Sequence, residues 1–222
     1  MTPELVILLD EAGNAIGSAP KAATHHARTP LHLAFSCYVF DRAGQLLLTQ
    51  RALDKATFPG VWTNSFCGHP EPGEDLAEAV ERRAEQELGL RLEALTLALP
   101  RFRYAAVGAN GVRENEICPV FTAISTSEVT PDPTEVAATA WVRWTVLRDE
   151  VLAGERAVSV WCAAQVAELA RRELDDGGFP VGSPADLPPA AASSIRRLAA
   201  QTGAGSRVPG AVTRRASTAT SQ

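Results

Sequence analysis

Long hydrophobic runs are missing from this 222-residue chain: no stretch approaches the eighteen or so apolar residues of a membrane span. The start, Met1-Thr2-Pro3-Glu4, has neither the basic opening nor the apolar stretch of a signal peptide. The expectation is a soluble, cytoplasmic protein with no membrane partner. Cysteine is scarce, at four residues, and Cys37, Cys67, Cys118 and Cys162 form no Cys-x-x-Cys pair. That spacing argues against a zinc knuckle or a disulfide framework and for free thiols. Net positive charge is also lacking. The chain carries -5 overall, and Ser183 onward holds one acid, Asp186, against five arginines, so the rest stands at -9. So acidic a body is ill suited to nucleic acid, which needs Lys and Arg to displace counterions from phosphates. A phosphate ligand would instead be met by a few placed cations.

With 45% hydrophobic residues, the chain has enough for one sizeable core. Strand patterns cover Leu5–Leu9, Leu33–Phe40 and Gln45–Thr49, the last two joined through Asp41-Arg42-Ala43-Gly44 as a hairpin. Further strands are expected at Phe102–Val107, Ile117–Ala123 and Ala140–Trp144. Glu74–Leu88 reads as a helix, with Leu76, Ala77, Val80, Ala84 and Leu88 at three- and four-residue steps and Gly89 as its stop. Trp161–Leu174 is a second helical pattern, ended by Gly177-Gly178 and Pro180. From Ser183 the composition turns to Ala, Ser, Thr, Pro, Gly and Arg without one aromatic residue. Such a segment has too little apolar area to offset its ordering entropy. The expected division is a folded domain over 1–182 and a disordered tail over 183–222.

The chemistry-bearing residues are not scattered. All four histidines, His25, His26, His32 and His69, lie in the first third, and only two lysines, Lys21 and Lys55, stand against nineteen arginines. Trp62-Thr63-Asn64-Ser65-Phe66-Cys67-Gly68-His69-Pro70 sets a thiol, an imidazole and a glycine just ahead of the helix. That position near a helix N-terminus is expected to lower the Cys67 thiol pKa from its reference of about 8.5. Arg113-Glu114-Asn115-Glu116-Ile117-Cys118-Pro119 places two carboxylates at alternate positions of a strand, hence on one face. Gly68-x5-Glu74-x7-Arg82-Arg83-Ala84-Glu85-Gln86-Glu87-Leu88-Gly89-Leu90 has the spacing of a Nudix box, a loop and helix that hold divalent metal against a diphosphate.

Together these stretches resemble the type 1 isopentenyl-diphosphate isomerase family, non-hydrolytic members of the Nudix superfamily. The resemblance runs from about Leu5 to the helix containing Trp161 and is most specific at Thr63–Pro70 and Glu114–Pro119. It implies an α/β fold, an α/β/α sandwich with a mixed β-sheet between helices. It also implies that His25, His32, His69, Glu114 and Glu116 hold one divalent metal, Zn²⁺, Mn²⁺ or Mg²⁺, with His26 a rival for the first position. Lys21, Arg51, Lys55 and Arg83 match diphosphate-binding positions. Glu87 matches the carboxylate that engages a Mg²⁺ bridged to the substrate, although Arg83 and Glu87 alone would also read as an ordinary i,i+4 ion pair.

The reaction implied is isomerisation of isopentenyl diphosphate to dimethylallyl diphosphate through a carbocation. Cys67 and Glu116 match the acid–base pair, Tyr104 a residue hydrogen-bonded within the proton-transfer machinery, and Trp161 the aromatic facing the cation. Where a Nudix hydrolase carries Arg-Glu-x-x-Glu-Glu, this chain has Arg82-Arg83-Ala84-Glu85-Gln86-Glu87. Two glutamates that would assemble metals for water activation are replaced. A diphosphate hydrolase is therefore the alternative, and a non-catalytic binding module a third. A small prenyl diphosphate is the expected partner, with the protein a monomer.

Overall fold

The computed structural model describes residues 4–174 and 177–192. Its strands are β1 (Leu5–Leu9), β2 (Ala15–Pro20), β3 (His32–Leu33), β4 (Phe35–Phe40), β5 (Gln45–Arg51), β6 (Trp62–Thr63), β7 (Phe66–Gly68), β8 (Glu93–Leu99), β9 (Arg103–Val107), β10 (Arg113–Ile117), β11 (Val120–Ile124) and β12 (Val136–Arg143). The helices are α1 (Lys21–Thr24), α2 (Leu76–Leu88), α3 (Trp144–Leu152), α4 (Val160–Arg172) and α5 (Pro189–Ala192), with a 3-10 turn at Pro184–Asp186. One sheet runs β2-β1-β3-β10-β9 and the other β12-β5-β4-β11-β8. Both are mixed, since β3–β10 and β4–β11 pair in parallel while their other neighbours are antiparallel. No helix among the described residues is long and apolar enough to cross a membrane.

Period-two alternation on the central strands explains the layering. Phe35, Cys37 and Val39 of β4, Leu47 of β5 and Phe121 of β11 face a core that includes Val80, Ala84 and Leu88 of α2. Tyr38, Phe40, Leu46, Leu48 and Val120 face the opposite way, onto Trp144, Leu147, Trp161 and Val166 of α3 and α4. The sheet thus lies between helices, as the family resemblance implies. Helix α2 starts where its sequence says it should. The Asp75 side chain accepts from the N–H groups of Ala77 (2.8 Å) and Glu78 (3.4 Å), and Gly89 closes the helix at φ 64°.

Four local differences from the sequence reading bear on the site. Leu33–Phe40 is not one strand: the chain leaves the first sheet after Leu33 and enters the second at Phe35. The expected strand at Ile117–Ala123 divides in the same way around Cys118-Pro119, because Pro119 has no N–H for a ladder. The two crossovers lie side by side, tied by Ala34 N–H to Ile117 O and Ser36 N–H to Pro119 O, both 3.0 Å. The third difference is in the hairpin, which forms at Phe40–Leu46 and then splays. Segment 62–68 enters the gap, β6 on β5 and β7 on β4.

The fourth difference is the domain end, and it corrects the expected boundary at residue 182. Residues 183–192 fold onto the body: Leu187 and Ala191 are buried in the α2-side core, Ala190 N–H donates to Gly13 O (3.0 Å), and Arg101 Nε donates to Asp186 O (2.5 Å). Composition hid this, because two small apolar anchors suffice when a preformed groove receives them. The remainder of the expected disordered tail, 193–222, lies outside the described residues. Strands β2 and β8 and helix α3 were not anticipated.

Candidate active site

Three adjacent strands set the first row of the site. In register, His32 of β3 lies beside Glu116 of β10, which lies beside Tyr104 of β9. Glu114, two residues back on β10, shares the face of Glu116. His69 follows β7, and His25 ends the short α1 turn. These elements bring one ligand atom each from His25, His32, His69 and Glu116 within 4.8 Å of one another. Glu114 joins through its Oε2, 3.2 Å from His25 Nε2. His26 points elsewhere, its Nδ1 accepting from the Arg28 N–H at 3.0 Å.

The donor set fits a divalent cation. His25 Nδ1 lies 3.2 Å from Lys21 O and His32 Nδ1 lies 3.0 Å from Pro30 O. A carbonyl there fixes the proton on Nδ1 and leaves Nε2 bare, the arrangement typical of metal-binding histidines. His32 Nε2 and His69 Nε2 stand 3.2 Å apart with Glu116 Oε1 at 3.4 and 3.3 Å from them. Lone pairs so disposed repel unless a positive charge sits among them. Glu114 Oε2 and His69 Nδ1 are also buried without a hydrogen-bond partner.

Burial and charge pull the same groups in opposite directions. Burial pushes His69 down to about 3, against the pull of Glu116. Burial also opposes protonation of His32, but Glu116 outweighs it and raises the imidazole. Burial would raise Glu116, yet its hydrogen bonds to His32 and His69 hold it well below the usual carboxylate range. The carboxylate is thus an anion at neutral pH.

Beside this cluster opens a cavity of about 430 Å³ lined by the cations Lys21, Arg51 and Lys55 and by Cys67, Tyr104, Glu116 and Trp161. Every expected chemistry-bearing residue except His32, Arg83 and Glu87 lines it. His32 lies behind in the metal cluster. Arg83 and Glu87 are buried beneath the cavity as an ion pair one helical turn apart, and Arg83 also reaches Glu135 at 3.4 Å. Gly68 makes that passage possible, since a Cβ there would stand 2.7 Å from Arg83 Cγ and from Phe35 Cζ. Burial raises Glu87 against the pull of Arg83.

Cys67 corrects an expectation. Its thiol is not lowered; burial pushes it up to about 11, against its contacts with Ser36 and Asn64. Helix α2 begins only at Leu76, and its first N–H groups are taken by the Asp75 side chain, not by the sulfur. Cys67 is nonetheless partly open to the cavity, unlike Cys37, Cys118 and Cys162. Burial, then Glu116 and Glu114, likewise raise Tyr104 well above an ordinary phenol.

Aromatic rings close the apolar end. Trp161 contacts Tyr104 (centroids 5.6 Å) and Phe58 edge-on (5.1 Å), and its Nε1 donates to Asn64 Oδ1 at 3.1 Å. The Arg51 guanidinium lies 5.7 Å from the Trp161 ring centroid, so this ring already faces a cation. Sequence reasoning missed the carboxylates that balance Lys21 and Lys55. Glu4 takes Lys21 at 2.9 Å, and Glu135 takes Lys55. Arg51 instead donates to Thr57 O and Thr57 Oγ1, at 2.9 Å each. Asn64 was visible in the Thr63–Pro70 motif without a role. It accepts from Trp161 and Thr63 and donates to Cys37 O and Phe66 O, which holds the loop.

Comparison with known proteins agrees with this geometry. The NUDIX domain family matches residues 30–162. Isopentenyl-diphosphate Delta-isomerase of Saccharopolyspora erythraea is 57% identical over 188 residues, covering 85% of this chain and 97% of the relative. The enzyme of that name from Mycolicibacterium vanbaalenii is 58% identical over 168 residues (76% and 92%), and that from Rhizobium rhizogenes 50% over 195 (87% and 93%). Among solved structures, a Deinococcus radiodurans protein superposes at TM-score 0.57 with 21% identity, covering 74% of this chain and 98% of that one. At that identity it supports the fold alone.

Proposed function

The chain belongs to the isopentenyl-diphosphate Delta-isomerase family of NUDIX-domain proteins, and from that premise we propose how its residues move the double bond of isopentenyl diphosphate to give dimethylallyl diphosphate. The observation that carries the reading is one cavity with a thiol, Cys67, and a carboxylate, Glu116, both opening into it beside Lys21, Arg51 and Lys55. The reaction adds a proton to the terminal methylene, passes through a tertiary carbocation, and removes a proton from the carbon nearer the diphosphate. One of Cys67 and Glu116 gives the first proton and the other takes the second, with Tyr104 hydrogen-bonding within that machinery. Such a step needs an acid and a base in a site that excludes water. Trp161, which lines the cavity, softens the transient charge by a cation–π contact of about 2 kcal/mol.

Lys21, Arg51 and Lys55 bind the diphosphate, and Arg83 with Glu87 supports it from below. Glu87 would hold a Mg²⁺ that offsets the charge of the diphosphate, and His25, His32, His69, Glu114 and Glu116 would hold a second divalent ion, Zn²⁺, Mn²⁺ or Mg²⁺. The chemistry these ions would supply is positive charge, at the diphosphate and at the histidine–carboxylate cluster. On this reading the protein is a cytoplasmic monomer that needs neither nucleic acid nor membrane.

Isomerase prevails over hydrolase in the relatives' names and in the box itself. Arg82 is committed to Glu74 (2.6 Å), and Gln86, at a hydrolase glutamate position, is a neutral acceptor for Arg82 at 3.3 Å and Arg83 at 3.4 Å. The test is replacement of the proton-moving pair. Cys67→Ala and Glu116→Gln each lose most of kcat, whereas KM for isopentenyl diphosphate in Cys67→Ala stays near wild type. A Cys67→Ala variant with near-normal kcat makes the thiol structural and removes this assignment.

A further inference from the structure

The helix–sheet interface behind Cys67 contains a chain of three fully buried polar side chains, Ser36, Tyr38 and Gln165. Tyr38 OH donates to Gln165 Oε1 (3.0 Å), Gln165 Nε2 donates to Ser36 Oγ (2.9 Å), and Ser36 Oγ lies 3.3 Å from Cys67 Sγ. Such groups are costly in a core unless each is satisfied. None of them lines the cavity. Among the described residues, the cavity-lining group to which they are hydrogen-bonded is the Cys67 sulfur.

The fold makes this chain on purpose-built positions. Ser36 and Tyr38 alternate on one face of β4, and Ser36 is the register partner of Cys67 on β7. Gln165 stands one turn along α4 from Trp161. Ser36 also meets the buried Cys118 Sγ at 3.3 Å. Its oxygen accepts from Gln165 and, when Cys118 turns its S–H inward, from Cys118 too. The hydroxyl proton then has one remaining acceptor, Cys67.

We infer that Ser36, held by Gln165, is a positioning residue for the proton transfer of Cys67. It donates to the sulfur whenever Cys67 is without its proton. This deepens the isomerase reading and rests on it, but not on which way the proton travels. As acid or as base, Cys67 passes through the thiolate once per turnover, and Asn64 Oδ1, at 3.4 Å, is an acceptor that offers a thiolate nothing. A hydrogen bond to an ionised partner is worth about tenfold to hundredfold in the step that forms or uses it. No contact of Ser36 with the diphosphate site exists, so KM is not its concern.

The experiment is steady-state kinetics of the full chain with Mg²⁺ and isopentenyl diphosphate, in H₂O and D₂O, for Ser36→Ala, Ser36→Thr and Gln165→Met. Ser36→Ala lowers kcat about tenfold or more with KM within about twofold of wild type, and enlarges the solvent isotope effect on kcat because proton transfer becomes more limiting. Ser36→Thr, which keeps the hydroxyl, recovers most of kcat. Gln165→Met lowers kcat in the same sense, and carries the test if Ser36→Ala does not fold. A folded Ser36→Ala with wild-type kcat and isotope effect overturns the proposal while leaving the isomerase reading intact, as does an equal loss in Ser36→Ala and Ser36→Thr. Absence of turnover in the wild type removes both.

Discussion

At the scale of single residues, the functional side chains were legible because their chemistry is unusual against this background. Two lysines among nineteen arginines and four clustered histidines point to a site before any fold is known. The choice of His25 over His26 needed geometry, since adjacent residues have the same composition but opposite directions. His25→Ala is therefore expected to lose most of its bound divalent metal after dialysis, with His26→Ala retaining it; equal metal content by elemental analysis counts against the cluster. What was not legible was pairing across long separations. Nothing local marks Glu4 for Lys21, 17 residues on, or Glu135 for Lys55, 80 residues back. The Cys67 acidity was misjudged because burial by distant segments outweighs a turn that looks favourable. With the thiol near 11, metal-free protein should be alkylated at Cys67 by iodoacetamide at a rate that still rises between pH 9 and pH 11. A plateau already reached at pH 8.5, followed by mass spectrometry, would contradict that.

At the scale of elements, helix α2 was the clearest call, since it combines periodic apolar residues, a cap and a glycine stop. Its N-terminal approach carries a charge pair that links stability to pH. Burial would raise Glu74, but the Arg82 guanidinium and the Glu71 N–H hold its carboxyl below 4.5. A carboxyl lowered in the folded state contributes stability that is full above about pH 4.5 and is lost as pH falls through its folded value. Glu74→Gln should therefore lower the thermal midpoint at pH 7 and bring the two proteins together toward pH 3. An unchanged gap across that range shows that the pair does not act through ionisation. Short strands were harder. The crossovers at Ala34 and Pro119 interrupt runs that look continuous, because an apolar stretch does not say which of two sheets receives it. Those crossovers matter to function, since they place Ser36 and Cys118 beside Cys67 while Glu116 remains in the other sheet.

At the scale of the whole molecule, two sheets meeting along one seam bring Glu116 and Cys67 to the same cavity from different sheets. The first sheet supplies His32, Glu116 and Tyr104; the second supplies Arg51 and, through the inserted segment 62–68, Cys67. The strap over 183–192 closes the far end of the α2-side core, so truncation after Gly182 strips Leu187 and Ala191 from it. Leu187→Ala alone is expected to cost about 2–4 kcal/mol, read by denaturant unfolding. Removal of residues 193–222 should leave kcat within about twofold, since no candidate site residue lies there.

The central claim is that this cavity moves a double bond and does not cleave a diphosphate. Its most direct test is purified protein with Mg²⁺ and isopentenyl diphosphate in D₂O, followed by NMR and by phosphate assay. The account predicts dimethylallyl diphosphate with deuterium in the methyl group derived from the terminal methylene, and no release of phosphate or pyrophosphate. Liberated phosphate or pyrophosphate without an allylic product would contradict it.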